Sequence, residues 1–265
     1  MSAWKWPFFS PPGRGRAVEP ETAFSTSLLL ENVVPAAGWQ PELGPLSLAL
    51  GQTEFCLVEG LSTHAADLLL RVAATLQPPL AGRLCHWGRE ILTLPRRQLY
   101  PWRRRLAFVS PWQSLLPRLT VLENITLAQT LTSSRRAEAM AGRQQLPLEQ
   151  LELTAYLDRY PQELPTRQYH LALWARELLK APRLILGVLA GQEEPHGVLV
   201  LAPHLFPLLE EHHRQGRGAI LLAGPWLAPA HALADRRLTV QADGWQEKPL
   251  PRRHHHPLAT YLNLL

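Results

Sequence analysis

The chain has 265 residues, of which 46% are hydrophobic, and carries a net charge of +5 with a pI near 9.6. This length is enough for one large domain, with or without a small lobe. The two cysteines form no CxxC pair, which excludes a disulfide framework and indicates a reducing compartment; no apolar run reaches the roughly 18 residues of a membrane span. Basic residues occur as scattered pairs without a nucleic-acid module, so the alternatives are a solvated surface or a surface close to anionic lipid.

The first part of the chain predicts strands, turns and one helix. Residues 1–26 are rich in Pro, Gly and Ser and form a predicted extension. Leu46, Leu48 and Leu50 alternate with other residues, which favours a half-buried strand before a turn and a second, fully apolar strand. The predicted elements are strands in residues 27–34, 44–60, 82–91 and 104–110, and a helix from Asp67 to about Gln77.

The rest of the chain alternates between helices and strands. Helical apolar spacing marks TVLENITLAQTL and PLEQLELTAYLDRY, and a long amphipathic helix has Pro165 near its start and Pro182 past its end. Such alternation predicts βαβ units and a mainly parallel sheet. The predicted helices lie in residues 121–161, 165–182, 198–215 and 229–235, and the strands in residues 183–191 and 218–224 and from residue 236 onward.

The segment GLSTHAAD, residues 60–67, has the layout of a phosphate-binding loop, with a strand before it and a predicted helix after it. The loop motif reads G-x-x-x-x-G-K-[ST], and only its first glycine, Gly60, is present here. Ala66 stands where the lysine belongs and Asp67 stands where the magnesium-binding hydroxyl belongs. The frame of a nucleotide site is therefore present without its phosphate-binding residues.

The order of the segments resembles the nucleotide-binding subunit of ABC transporters over residues 28 to about 245. LLPRLTVLENITLA is similar to the segment after that family's Q-loop. RYPQELPTRQYHLALWARELLKAPRLIL is similar to the signature helix leading into the Walker B strand. PRRQLYPWRRRLAFV and AGQEEPHGVLV resemble most the ATPase subunit of Mla-type lipid transporters, which work with Mce proteins.

The resemblance implies an α/β ABC-type P-loop NTPase fold with a mainly parallel sheet, an antiparallel β lobe and a helical subdomain. The domain is expected to cover residues 27–248, with the helical subdomain at about 115–175 and a C-terminal tail at 249–265.

The family's other motifs align with residues of the wrong chemistry. The Q-loop glutamine aligns with Ser110, and the signature L-S-G-G-Q aligns with a stretch that contains Pro165. The Walker B aspartate aligns with Leu186, the catalytic glutamate with Gly187 and the switch histidine with Gly224. Because these motifs are lost together while the strands and helices between them still resemble those of the family, we expect a pseudo-ATPase.

The losses act on the charges that hold ATP. Without the lysine, a charge-assisted contact of about 1.5–3 kcal/mol is missing. A carboxylate about 4 Å from a phosphate charge repels it by about 4 kcal/mol at an effective dielectric near 20. Asp67 is expected instead to satisfy the N-terminus of its own helix. We therefore expect no ATP or magnesium cofactor.

The resemblance implies a structural or regulatory subunit on the cytoplasmic side of the inner membrane, peripheral to it, in a lipid-transport complex. Its expected partners are a permease subunit and a second ABC ATPase subunit, in a homodimer or a heterodimer; nucleic acid is not expected. Trp112, Leu115 and Leu116 are the candidate anchors for a permease, with core packing as the alternative.

Two other functions stay open. One is an ABC ATPase subunit that holds nucleotide through atypical contacts. The other is a repurposed soluble α/β protein or hydrolase, because Ser62, Asp235 and His254 keep a hydrolase chain order, although the second glycine of G-x-S-x-G is missing. The run of histidines at residues 254–256 predicts no metal site, since adjacent side chains point in different directions.

Overall fold

The computed structural model describes residues 25–36, 38–39, 43–130, 148–191, 197–241 and 244–250. The strands are β1 (Thr26–Val34), β2 (Leu46–Gly51), β3 (Phe55–Glu59), β4 (Ala81–His86), β5 (Arg89–Glu90), β6 (Leu106–Val109), β7 (Leu184–Val188), β8 (Ala219–Gly224), β9 (Arg236–Gln241) and β10 (Gly244–Pro249). The helices are α1 (Thr63–Ala73), α2 (Arg96–Arg103), α3 (Val121–Thr130), α4 (Thr166–Leu178) and α5 (Val198–Arg214).

The strands form two sheets. The main sheet has the order β10-β9-β3-β8-β7-β6, in which only the edge strand β10 is antiparallel to its neighbour. The second sheet, β2-β1-β4-β5, is antiparallel throughout. The predicted α/β fold, with a mainly parallel sheet, an antiparallel lobe and helices, is confirmed.

Side chains of the main sheet alternate between two apolar cores. Residues such as Val58 and Leu186 pack on one face with α1 and the antiparallel sheet. Their neighbours, such as Leu57 and Ile185, pack on the other face with α3, α4 and α5. This alternation follows from the two-residue period of a strand, and burial on both faces explains why these strands read as continuous apolar runs.

Several predicted elements need correction. The helix predicted from Asp67 begins at Thr63, and a helix that was not predicted, α2, precedes β6. The described part of PLEQLELTAYLDRY contains turns and a short 3-10 helix instead of an α-helix, because Glu152 has a positive φ of 52° between two buried leucines. The helix predicted at 229–235 is a 3-10 turn at Ala228–Ala230, and β9 pairs with an unpredicted strand, β10.

The described elements run from Thr26 to Pro249. The predicted extension (1–26) and tail (249–265) lie almost entirely outside the described residues, and the domain boundaries stay a prediction. Within the described ranges, no helix is both long enough and apolar enough to span a bilayer.

Candidate functional site

The phosphate-loop segment, residues 60–67, lies at the carboxyl edge of the main sheet. Gly60 follows β3 directly with φ of 92°, and its N–H donates to the carbonyl of Gly224 at the end of β8, at 3.1 Å. Ser110 follows β6 at the same edge. In open α/β sheets, ligands bind at the carboxyl ends of the strands. The structure thus brings three of the motif positions to the edge where a nucleotide site would lie.

Helix α1 takes up most of the phosphate-loop segment. Ser62 caps the helix, with its Oγ accepting the N–H of Ala65 at 3.2 Å, so that only Gly60, Leu61 and Ser62 stay outside it. Serine is a preferred N-cap residue, which explains a start four residues earlier than predicted. The side chain of Ala66 is fully buried in the core against the sheet.

Asp67 is a buried residue of α1, with 3% of its surface exposed. The hydroxyl of Ser110 donates to its Oδ1 at 2.5 Å, and Arg71, one turn later, forms an ion pair with its Oδ2. The expectation that Asp67 satisfies the helix N-terminus is therefore wrong, since Ser62 has that role. Asp67 aligns with the magnesium-binding hydroxyl of the family and Ser110 with the Q-loop glutamine, and here these two residues are hydrogen-bonded to each other.

The strand pairing corrects the Walker B alignment by two residues. Leu186 pairs with Leu221 in the middle of the sheet, and the last residue of β7 is Val188. A carboxylate that serves a site at the carboxyl edge must stand at the end of its strand, so its positions here are Val188 and Leu189. Both are buried and apolar, as are the positions first assigned.

Two glycines, one at the switch position and one just before the corrected Walker B position, have no room for a side chain. A Cβ on Gly187 would lie 2.4 Å from Cη2 of Trp174 in α4 and 2.7 Å from Cδ2 of Leu222. A Cβ on Gly224 would lie 2.4 Å from the carbonyl oxygen of Leu189. Any side chain at Gly187, or a histidine at Gly224, would require its surroundings to move.

The segment aligned with the signature motif contacts an acidic turn. Pro165 precedes α4 in an extended conformation, with ψ of 150°. Arg167 forms an ion pair with Glu152 at 2.5 Å, and the side-chain amide of Gln168 donates to the same carboxylate at 3.4 Å. These side chains are therefore engaged within the chain.

A charged cluster that the sequence did not reveal lies beside the phosphate-loop segment. Glu59, the last residue of β3, accepts the N–H of Leu227 at 2.7 Å, contacts Nε2 of His231 at 3.0 Å and pairs with Arg237 at 3.2 Å. Burial alone would raise the pKa of Glu59, but the hydrogen bonds from His231 and Leu227 outweigh it and lower the pKa. The sequence signal for this cluster was limited to Glu59, a single carboxylate at the end of an apolar strand.

The candidate permease anchors differ in exposure. Trp112 and Leu116 are exposed, at 52% and 46%, whereas Leu115 is 2% exposed and packs in the core with α3 and α4. Leu115 is therefore wrong as an anchor. Leu122 in α3 and Tyr160, which lies before α4, are also exposed.

The structure separates the hydrolase residues. Asp235 accepts the N–H of Phe55 at 3.0 Å, at the amino end of β3, whereas Ser62 lies beyond its carboxyl end. A five-residue strand is about 13 Å from first to last Cα, which excludes a direct contact. His254 lies outside the described residues. No group of three or more candidate metal ligands occurs within the described ranges.

Curated proteins similar to this chain are ATP-binding proteins of transport systems. The lipoprotein-releasing system ATP-binding protein LolD of Anaeromyxobacter dehalogenans is 32% identical over 178 residues, which is 66% of this chain and 72% of that protein. The aliphatic sulfonates import protein SsuB of Burkholderia pseudomallei is 29% identical over 83% of this chain, and the chain spans 61% of its length. The spermidine/putrescine import protein PotA of Nitrosomonas eutropha is 29% identical, and the chain spans 44% of it.

Solved structures share the fold. The dimeric bacterial ABC transporter cassette MJ0796 superposes with a TM-score of 0.68 at 21% identity, over 86% of this chain and 100% of that chain. CbiO1 of Clostridium perfringens superposes with a TM-score of 0.66 at 14% identity. No protein-family model matches the chain.

Proposed function

Because this chain belongs to the ATP-binding subunits of ABC transporters, we propose that it is a pseudo-ATPase, a structural or regulatory subunit of a membrane transport complex. It keeps the fold of the family and no longer hydrolyses ATP. ATP and magnesium are not its cofactors.

The observation that carries this proposal is that Asp67, at the end of the phosphate-loop segment, bonds to neighbouring protein side chains and leaves no cationic group there for a phosphate. Its buried carboxylate is bonded to Ser110 and paired with Arg71. Because Arg71 balances the charge of Asp67, the pair offers no net positive charge to a phosphate. The site therefore lacks both the lysine charge and the hydroxyl that magnesium-ATP requires.

Among the described residues, those at the Walker B and switch positions of the carboxyl edge also supply no groups for the chemical step. Val188 and Leu189 supply no carboxylate to hold magnesium or activate water, and Gly224 supplies no imidazole. The residues present do not fit magnesium-ATP. An ABC subunit that binds nucleotide through atypical contacts is the alternative that the experiment below tests.

The proposed partner is the permease subunit of the complex. Trp112 and Leu116 expose apolar surface in the loop after β6. Exposed large aromatic side chains are typical of protein interfaces. We assign permease docking to this loop, with Trp112 and Leu116 as anchors.

The proposed cargo is lipid, in a complex of the Mla or Mce type on the cytoplasmic side of the inner membrane. The similarity to a protein of a lipoprotein-releasing system supports a lipid-containing cargo. The dimeric state of the MJ0796 cassette supports a second subunit of the same fold, either another copy of this chain or an active ATPase.

Calorimetric titration of the purified chain with ATP, with and without magnesium, tests the loss of ATP chemistry. We expect no binding up to about 1 mM ATP and no shift of the melting temperature. A dissociation constant above about 1 mM corresponds to a binding free energy weaker than about −4 kcal/mol. Magnesium-dependent binding near 1 µM would contradict the proposal and favour the atypical nucleotide site.

Co-purification with membrane subunits from detergent extracts tests the docking surface. Trp112→Ala and Leu116→Ala are expected to lose the membrane partner while keeping the melting temperature. Leu80→Ala is the matched control, because Leu80 is an exposed leucine next to the antiparallel sheet. Retention of the partner by both anchor variants would contradict the assignment.

A further inference from the structure

A surface cavity opens at the amino edge of the main sheet, opposite the phosphate-loop segment. Its volume is about 250 Å³, and it lies between the start of β1 and the turns that precede β3, β7 and β8. Liquid water takes about 30 Å³ per molecule, so the space corresponds to roughly eight waters. The cavity is therefore large enough for a small anion with an attached organic group.

Arginines line up along this edge. Arg105, Arg183 and Arg217 precede the neighbouring strands β6, β7 and β8, and the N–H of Arg183 donates to the carbonyl of Arg105 at 2.8 Å. Neighbouring strands lie about 4.8 Å apart, so these three side chains start from one short row. Arg183 and Arg217 line the cavity, and none of the described residues that line it carries a carboxylate.

Other lining residues add hydroxyls and an aromatic wall. Ser27 is 1% exposed, and within the described part of the chain its Oγ has no hydrogen-bond partner. Thr53 adds an exposed hydroxyl at the rim. Trp87 forms a buried wall, with the guanidinium of Arg105 5.8 Å from its ring centroid. A buried hydroxyl without a partner is destabilising, and a ligand that accepts from it would remove that cost.

The positive field at this edge extends into the protein. Burial, with a smaller contribution from the charge of Arg217, lowers the pKa of His212 to about 4. The cavity therefore combines two arginines, available hydroxyls and an apolar wall. Arginine binds phosphate oxygens through a planar fork of donors, often with two parallel hydrogen bonds.

We propose that this cavity binds a phosphate group, held by Arg183 and Arg217 with the hydroxyl of Ser27, while Trp87 contacts the organic part of the ligand. Such a group belongs either to a free phosphate monoester or to the headgroup of an anionic lipid. The site does not depend on the phosphate-loop segment, which lies at the other edge of the sheet.

The test is a titration of the full chain with inorganic phosphate at constant ionic strength, followed by calorimetry and tryptophan fluorescence. We expect saturable binding below about 10 mM. Arg217→Gln should weaken it about tenfold or more, because a charge-assisted contact is lost. Arg97→Gln removes the same charge from an exposed position on α2 and should leave the affinity unchanged.

Further arms locate the site and identify the ligand. Arg71→Gln removes the cation beside the phosphate-loop segment and should leave phosphate binding unchanged, which separates this site from that segment. If Arg217→Gln does not fold, Ser27→Ala should still weaken binding about threefold or more, because one hydrogen bond is lost.

Flotation with vesicles of phosphatidylcholine, with and without phosphatidic acid, distinguishes the two sources. Flotation that depends on both phosphatidic acid and Arg217 identifies a lipid headgroup, whereas phosphate binding without flotation identifies a free phosphate ester. Absence of saturable phosphate binding, or an equal loss in Arg97→Gln and Arg217→Gln, would overturn the proposal.

Discussion

Replacing Asp67 and Ser110 measures how firmly the phosphate-loop segment is closed by its own side chains. The two oxygens are 2.5 Å apart and both residues are buried. A hydrogen bond to a charged group contributes about 1.5–3 kcal/mol, and an ion pair with a partner as exposed as Arg71, at 39%, adds about 0–1 kcal/mol. We therefore expect Asp67→Ala to lower the free energy of unfolding by about 1.5–4 kcal/mol.

The assay is urea unfolding of the wild type, Asp67→Ala, Ser110→Ala and the double variant. A coupling energy of about 1.5–3 kcal/mol between the two positions is expected, since each single change removes the same contact. Asp67→Asn keeps an acceptor for the hydroxyl and should cost less than Asp67→Ala. A coupling energy near zero, or a more stable Asp67→Ala variant, would refute the view that this contact closes the site.

Two further changes in stability follow from the structure. Gly187→Ala places its Cβ 2.4 Å from Trp174 and should lower the free energy of unfolding by about 1–3 kcal/mol in urea, whereas Gly51→Ala, whose nearest atom is 3.4 Å away, serves as the tolerated control. Burial is the largest cause that lowers the pKa of His86 and His212 from 6.5 to about 4. The unfolded chain then binds more protons below pH 6.5, so the free energy of unfolding should fall as the pH is lowered from 6.5 to about 4, by up to about 1 kcal/mol per pH unit for each histidine. His86→Gln should make this fall shallower in urea titrations at several pH values, and a flat wild-type profile would contradict the burial argument.

The strands of the main sheet were predictable because both of their faces are buried. A run such as that of β7 has no polar residue to interrupt it, so its existence is clear from the sequence. The same uniformity hides its register: nothing within the run marks which residue reaches the carboxyl edge. The pairing of Val188 with Ala223 shows which residue reaches the carboxyl edge. It places the Walker B carboxylate positions at Val188 and Leu189 instead of Leu186 and Gly187.

Local rules failed where tertiary contacts decide. Asp67 looked like a capping carboxylate, but its partner Ser110 is 43 residues away in sequence. Leu115 and Leu116 are adjacent and chemically identical, yet one enters the core and the other faces outward. Sequence spacing alone cannot separate two neighbouring leucines in a loop, because a loop has no fixed period.

The motif positions contribute to the core, so the proposed loss of ATP chemistry would be difficult to reverse one residue at a time. Ala66, Val188 and Leu189 are all buried in apolar clusters. A lysine or carboxylate restored alone at one of these positions would be a buried, unpaired charge, which costs several kcal/mol. In an active family member the bound nucleotide and magnesium would compensate for the buried lysine and carboxylates. These charged side chains are therefore tolerated only when all of them are present together. When several of these charges are absent together, apolar side chains at the other motif positions are the more stable choice. Ala66 in α1 and Val188 and Leu189 at the end of β7 are such side chains.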